Sequence, residues 1–203
     1  MYYTVVRLPS SIQNCIDAFS QLPTIGRKSA ERFVFYLLQK DQNELDNFAE
    51  AIKNLKKGIK KCAICGCIDE TTPCLVCADA KRDRAKICVI TNTRDLILIE
   101  NTKIYNGLYH VLGGNIDAIN GITPKQLNIK PLLERLRNQN GGVREIILAL
   151  NPTFEGETTS LHLTNVLKNY NIKLTRLARG LSAGSDLQYA DELTIKNAIQ
   201  NRK

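Results

Sequence analysis

Four cysteines in the first half of the chain occur as two closely spaced pairs. Cys62 and Cys65 are separated by two residues, and Cys74 and Cys77 repeat that spacing shortly afterwards. Two thiolates at this spacing bind one metal ion from a tight turn, and a second pair completes tetrahedral coordination. Because four sulfur ligands leave no open position for water, the spacing predicts one structural zinc ion per subunit rather than a catalytic one.

Other interpretations of the two cysteine pairs remain open. Disulfides or a chance pairing would give the same spacing, although the chain has no signal peptide pattern and no apolar run of membrane-spanning length. We therefore expect a cytoplasmic protein whose thiols stay reduced. Cys67 lies between the two pairs and is a competing ligand. Cys15 and Cys88 lie in apolar-patterned segments and are predicted to be core residues.

The composition indicates the kind of partner. The chain has 203 residues, enough for one domain or two small ones with a real core, and its formal net charge is +8. A basic surface favours a polyanion partner such as nucleic acid, although many basic proteins bind none.

The predicted secondary structure differs before and after the cysteine pairs. Before them, helical periodicity predicts three apolar faces, formed by Ile12, Cys15, Ile16 and Phe19, by Ala30, Phe33, Val34, Leu37 and Leu38, and by Leu45, Phe48, Ile52, Leu55 and Ile59. After them, β-branched runs at Ile87–Ile90, Tyr109–Leu112, Glu145–Leu150 and Lys173–Leu177 alternate with helical patterns near Asp95–Glu100, Lys130–Arg137 and Thr158–Tyr170. This alternation predicts an α/β fold with a parallel sheet covered by helices.

These patterns predict four parts. They are a helical domain over 1–56, a four-cysteine zinc motif over 57–80, an α/β domain over 81–177 and a short C-terminal oligomerisation tail over 178–203.

The connection between the first two predicted helices, Leu22–Ala30, resembles a helix-hairpin-helix DNA-binding motif. Such a loop presents backbone N–H groups at the start of the second helix, where they suit a phosphate, and Gly26 would let a strand approach closely. Lys28 and Arg32 share one helical face, beside Arg27. The sequence therefore predicts DNA contact at these four residues, and the alternative is an ordinary helical turn with solvated charges.

Two features modify that prediction. The motif usually has glycine at the position of Thr24, and a β-branched residue resists the left-handed backbone that glycine allows. Two basic runs, Lys53–Lys61 and Lys81–Lys86, flank the zinc motif and are either solvated faces or further nucleic-acid contacts.

The ends of the predicted strands carry few acids. Thr91 follows the first strand of the α/β pattern and Asn151 follows the third, in a layout similar to the Toprim domain of topoisomerases, primases and some nucleases. Catalytic Toprim domains use carboxylates there to hold magnesium, which neutral side chains bind poorly. Glu155 and Glu157 just beyond could attract a cation weakly or contact a basic partner; alternatively, they only complement a helix N-terminus. The sequence therefore predicts no catalytic site.

Taken together, the chain resembles the RecR family of bacterial recombination mediators from about Pro9 to its C-terminus. The resemblance rests on the order of hairpin, cysteines, Toprim pattern and tail, and on Leu22–Leu38, Val111–Pro124, Asn151–Thr159 and the segment from Ala178 to Thr194.

This resemblance implies a function without catalysis. It implies a sequence-independent clamp on single- or double-stranded DNA, built as a homo-oligomer (a tetrameric ring or a dimer) and acting at the nucleoid. Together with RecO, and in some bacteria RecF, such a protein loads RecA onto single-stranded gaps. The resemblance places DNA contacts at Lys28 and Arg32, and RecO contact in the Glu155–Glu157 region.

Two rival functions remain open. One is a magnesium-dependent Toprim nuclease or primase, which would nick plasmid DNA. The other is a zinc-stapled transcription or RNA-binding module, which would differ in substrate preference.

Overall fold

The computed structural model describes residues 7–138 and 142–202, and the chain divides into two compact units, Met1–Lys57 and Gly58–Lys203. The finer division of the second unit into zinc motif, α/β domain and tail stays a prediction.

From residue 7 onwards, where the structure describes the N-terminal unit, it contains three helices: α1 (Ser10–Ser20), α2 (Arg27–Leu37) and α3 (Gln42–Asn54). Asp41 caps α3, because its Oδ1 accepts a hydrogen bond of 2.9 Å from the backbone N–H of Glu44. The buried core is small and consists of Ile16, Ala30 and Val34.

The rest of the three predicted apolar faces is less covered than expected. The prediction that Cys15 is a core residue is wrong, because its side chain is exposed. Large apolar side chains on α2 and α3 are exposed as well, namely Phe33, Phe35, Tyr36, Phe48 and Ile52. Periodicity identifies an apolar face, but it does not show whether the same chain covers that face.

The second unit begins with a small antiparallel pair, β1 (Lys60–Lys61) and β2 (Ile68–Asp69), followed by a one-turn helix, α4 (Leu75–Ala78). The first cysteine pair lies in the turn between β1 and β2, and the second lies at the N-cap and within α4.

A parallel four-stranded sheet forms the body of the second unit. In chain order its elements are β3 (Asp83–Ile90), α5 (Thr93–Asn101), β4 (Gly107–Val111), α6 (Ile129–Asn138), β5 (Glu145–Ala149), α7 (Phe154–Leu167) and β6 (Lys173–Arg176). The strand order is β4-β3-β5-β6, and all neighbouring strands are parallel. The α/β fold predicted from the sequence is confirmed.

Both faces of the sheet are buried. One face carries Ile87, Val89 and Ile146 and packs against apolar residues of α6 and α7. The other face carries Cys88 and Ile90. It packs in a cluster with Leu96 of α5 and the five cysteines from Cys62 to Cys77. The prediction that Cys88 belongs to the core is confirmed. The tail adds one further helix, α8 (Glu192–Gln200), which begins at an Asp191 cap.

Candidate metal centre and nucleic-acid hairpin

The four predicted zinc ligands converge on one point. A tight turn holds the first pair, since the N–H of Gly66 donates to the carbonyl of Cys62 at 2.9 Å. Cys74 caps the short helix α4 and accepts from the N–H of Cys77 at 3.4 Å, which holds the second pair. All four sulfur atoms lie within 4.8 Å of one another and are buried.

This donor set fits a metal ion. All of these cysteines are free thiols, and the sulfurs of Cys65 and Cys74 are 3.6 Å apart, too far for a disulfide. Four buried sulfurs at one point suit a soft or borderline divalent ion in tetrahedral coordination. The cluster can therefore hold a metal ion, and the alternative of disulfides does not apply to it.

Cys67 forms a second, smaller group with Asp69 and Cys74. The carboxylate of Asp69 already accepts backbone hydrogen bonds from Glu70 at 2.6 Å and from Leu75 at 3.3 Å. Because those N–H groups hold the loop between the pairs, Asp69 is committed to the fold. The geometry favours the four paired cysteines as the ligand set.

The cysteine motif also protects an edge of the sheet. The N–H of Val111 in edge strand β4 donates to the carbonyl of Cys65 at 2.7 Å, and the N–H of Ile68 donates to the hydroxyl of Thr93 at 3.0 Å. Backbone groups of an exposed edge strand are a template for unwanted pairing. The motif therefore covers β4 as well as holding its own loop.

The hairpin between α1 and α2 contains a left-handed backbone conformation at Thr24, which the sequence argued against. Thr24 adopts φ of 66°, so the β-branched residue occupies the left-handed region where glycine is usual. Gly26 is extended, with φ of −80°, and precedes α2 without capping the helix through a side chain. A Cβ atom added to Gly26 would meet no atom of this chain within 4 Å, so nothing internal to the fold requires glycine there.

The predicted DNA-contact side chains lie at the start of α2. Lys28 and Arg32 are exposed and form no ion pair with any residue in the described part of the chain. Arg27 differs, because its guanidinium donates to Gln13 at 3.1 Å and pairs with Glu31 at 3.4 Å. Within the described residues, Lys28 and Arg32 are therefore unpaired, whereas Arg27 stabilises the hairpin through its contacts with α1 and α2.

The second basic run is partly used inside the fold. Arg82 donates to Glu100 at 2.8 Å and to the carbonyl of Gly107 at 3.2 Å, and Lys86 pairs with Asp83 at 3.1 Å. Arg82 is therefore a structural cation that anchors β4 to α5.

At the carboxyl edge of the sheet lie two neutral side chains, as predicted from the sequence. Thr91 follows β3 and Asn151 follows the adjacent strand β5, at the point where the strand order reverses. Asp95 is occupied as part of the α5 capping box, accepting from the N–H of Asn92 at 3.1 Å. In the described residues, groups of three or more potential metal ligands occur only in the cysteine motif.

The two predicted partner-binding acids lie in the first turn of α7 but have different surroundings. Glu157 pairs with Arg176 at 3.2 Å and also with Arg179 of the tail segment. The Arg179 guanidinium lowers the pKa of Glu157, so this carboxylate stays charged. Glu155 forms no ion pair within the described residues.

Arg135 was not among the residues predicted from the sequence. It lies on the amphipathic helix α6 and is buried with only 8% of its surface exposed, whereas Arg137 two residues later is exposed. The only signal for it was its position: Leu132, Arg135 and Leu136 fall on one face at helical spacing.

Comparisons with known proteins agree with this geometry. A family model described as "RecR, helix-hairpin-helix" matches residues 12–56, "Toprim domain" matches 85–178, and "RecR, C-terminal" matches 180–203. No helix among the described residues has the length and apolar character required to span a membrane.

Two curated relatives match almost end to end. A protein named "Recombination protein RecR" from Staphylococcus aureus (strain Newman) is 45% identical over 96% of this chain and 97% of its own length. Its namesake from Bifidobacterium longum (strain DJO10A) is 48% identical over 95% of this chain and 96% of its own length. On this evidence the chain belongs to the RecR family.

Proposed function

We propose that this chain is a non-enzymatic, DNA-binding mediator of recombination and repair, acting in the cytoplasm at the nucleoid. One observation carries the proposal: the start of α2, preceded by an open glycine, presents unpaired cations in a chain of the RecR family.

The hairpin suits a phosphate backbone. The first N–H groups of a helix lack partners within the helix, and the dipole there favours an anion. At Gly26 no side chain caps those groups and none stands in the way of an approaching strand. Lys28 and Arg32 then neutralise phosphates and Arg27 supports them, so binding is independent of sequence and weakens as salt rises.

The metal centre is proposed to be one structural zinc ion per subunit, held by Cys62, Cys65, Cys74 and Cys77. Zinc supplies tetrahedral cross-linking here and no open site for chemistry. The chain's own contribution is to fix the loop that covers β4.

The absence of catalysis is supported by the carboxyl edge of the sheet. Thr91 and Asn151 are poor magnesium ligands, and Asp95 is engaged in capping. The site therefore lacks the acids that Toprim phosphoryl chemistry requires, and the domain serves as a scaffold and a surface for partners.

The partner surface is proposed to lie at the start of α7. RecO is the expected partner there, with RecF in organisms that have it. Glu155 is the acid available to a basic partner, because Glu157 is already paired with Arg176 and Arg179. Glu157 then contributes by holding the surrounding surface in place.

Assembly into a homo-oligomer, a tetrameric ring or a dimer, is supported by uncovered apolar side chains in both units. In the tail, Leu187, Tyr189, Leu193 and Ile199 are exposed, and helices α2 and α3 of the N-terminal unit expose several aromatic residues. Apolar patches of this kind mark contacts between proteins. Assembly would also multiply the few phosphate contacts that one subunit supplies.

The function is tested by timing RecA assembly on single-stranded DNA coated with single-strand-binding protein, with RecO and with or without this chain. The proposal predicts that RecA assembles faster with the parent chain. The Lys28→Ala/Arg32→Ala variant should not accelerate RecA assembly. A divalent-dependent nick in plasmid DNA, or equal assembly rates with and without the chain, would contradict it.

A further inference from the structure

A buried arginine without a carboxylate partner lies in the second unit. Arg135 donates from Nη1 to the carbonyl of Tyr109 at 2.7 Å, but its Nε and Nη2 are buried without any hydrogen-bond partner. It forms no ion pair with a carboxylate in the described residues. A buried, unpaired guanidinium is costly, so a compensating negative charge must come from another source.

That source lies at the same edge of the sheet. Tyr109 and Val111 belong to edge strand β4, and both direct backbone groups outwards: one accepts from Arg135, and the other donates to Cys65 at 2.7 Å. Tyr109 also packs in the same buried cluster as the cysteines. Burial lowers the pKa of Arg135, and negative charge on Cys77 and Cys65 opposes that shift.

We propose that Arg135 is the counter-charge of the metal centre and is a positioning residue that sets its affinity for zinc. Four thiolates and one divalent ion sum to two negative charges, since metal-bound thiols are deprotonated. The guanidinium offsets part of that charge inside the fold. This inference rests on the zinc centre proposed above.

A purely structural role makes a different prediction. If Arg135 only holds the carbonyl of Tyr109, any donor at position 135 would serve equally well, and the charge would not matter. Arg135→Gln keeps a donor without charge, whereas Arg135→Lys keeps the charge with a different donor geometry.

The experiment uses the full chain loaded with zinc and measures apparent zinc affinity by chelator competition, with the rate of thiol modification as a second readout. Loss of an outer partner of a metal site weakens affinity by about 10- to 100-fold. We expect Arg135→Gln to fall in that range, with faster thiol modification, and Arg135→Lys to recover most of the loss. The exposed Arg137→Gln is the matched control and should hold zinc like the parent.

The outcomes separate the two proposals. A parent chain that holds no zinc overturns both, whereas a parent that holds zinc and an Arg135→Gln variant of equal affinity overturn only the role of Arg135. Equal losses in Arg135→Gln and Arg135→Lys also overturn it.

If Arg135→Gln does not fold, the parent provides the test through the Nε–H resonance of Arg135. That resonance should shift when cadmium replaces zinc, and an unchanged resonance contradicts the proposal.

Discussion

At the scale of single residues, Thr24 shows a local rule overridden by its context. The left-handed region costs a non-glycine residue about 1–2 kcal/mol, and more crowding is expected for a β-branched side chain. The hairpin nevertheless adopts φ of 66° at Thr24. The backbone preference of threonine alone therefore predicted against the turn that connects the two helices.

Thr24→Gly should stabilise the chain by about 1 kcal/mol, because glycine adopts this φ without steric cost and loses only part of that gain to backbone entropy. The measurement is urea unfolding. Thr24→Ala is the control, since it keeps a Cβ and should gain much less. A glycine variant no more stable than the parent would show that the threonine is unstrained.

The metal ligands are tested residue by residue. Cys74→Ser should abolish zinc binding and loosen the loop, because Cys74 caps α4 and supplies one of the four sulfurs. Cys67→Ser should leave about one zinc per subunit, since Cys67 is outside the favoured ligand set. Metal analysis of both purified variants decides this; zinc missing from the Cys67 variant would overturn the ligand assignment.

At the scale of elements, the sequence located all four strands of the parallel sheet and the helices between them. It placed the first strand at Ile87–Ile90, whereas β3 starts at Asp83. The missed residues are three charged side chains and Ala85, none of them buried, and the pairing with β4 shifts between Asp83 and Ile87. Alternation of apolar residues therefore could not mark them. The pairs within the metal motif and the ion pair of Glu157 with Arg179 depend on distant residues, which periodicity does not report.

The first turn of α7 depends on a close backbone approach. A Cβ atom at Gly156 would lie 2.0 Å from the carbonyl oxygen of Asn151. Gly156→Ala should therefore destabilise the chain by about 1–3 kcal/mol, as overpacking does. Chemical denaturation measures this against Asn165→Ala, an exposed position on the same helix that should stay near the parent. If the two variants are equally stable, the approach is looser than described.

At the scale of the whole molecule, the uncovered apolar residues of the tail bear on assembly. Within the described chain, Leu187, Tyr189, Leu193 and Ile199 of the tail are exposed. What covers such a face cannot be deduced from one chain, because the covering surface belongs to the assembled protein.

Deleting the chain after Gly180 should yield smaller species in light scattering and reduce DNA binding in parallel, because it removes that apolar surface. The control is the quadruple exchange of the same apolar residues for Ser, which keeps the chain length and should give the same result. A truncated chain of unchanged size that still binds DNA would place the assembly contacts elsewhere.

The proposed function depends on the start of α2 binding the DNA backbone. The most direct measurement is DNA affinity at several salt concentrations for the Lys28→Ala/Arg32→Ala variant, against Lys125→Ala/Lys168→Ala, which removes two exposed charges elsewhere. The hairpin variant should bind all sequences more weakly, with a salt slope shallower by about 0.7–0.9 for each phosphate that it no longer neutralises. The control should keep the parent's slope. A hairpin variant with the parent's affinity and slope would show that the start of α2 is not the DNA-binding site.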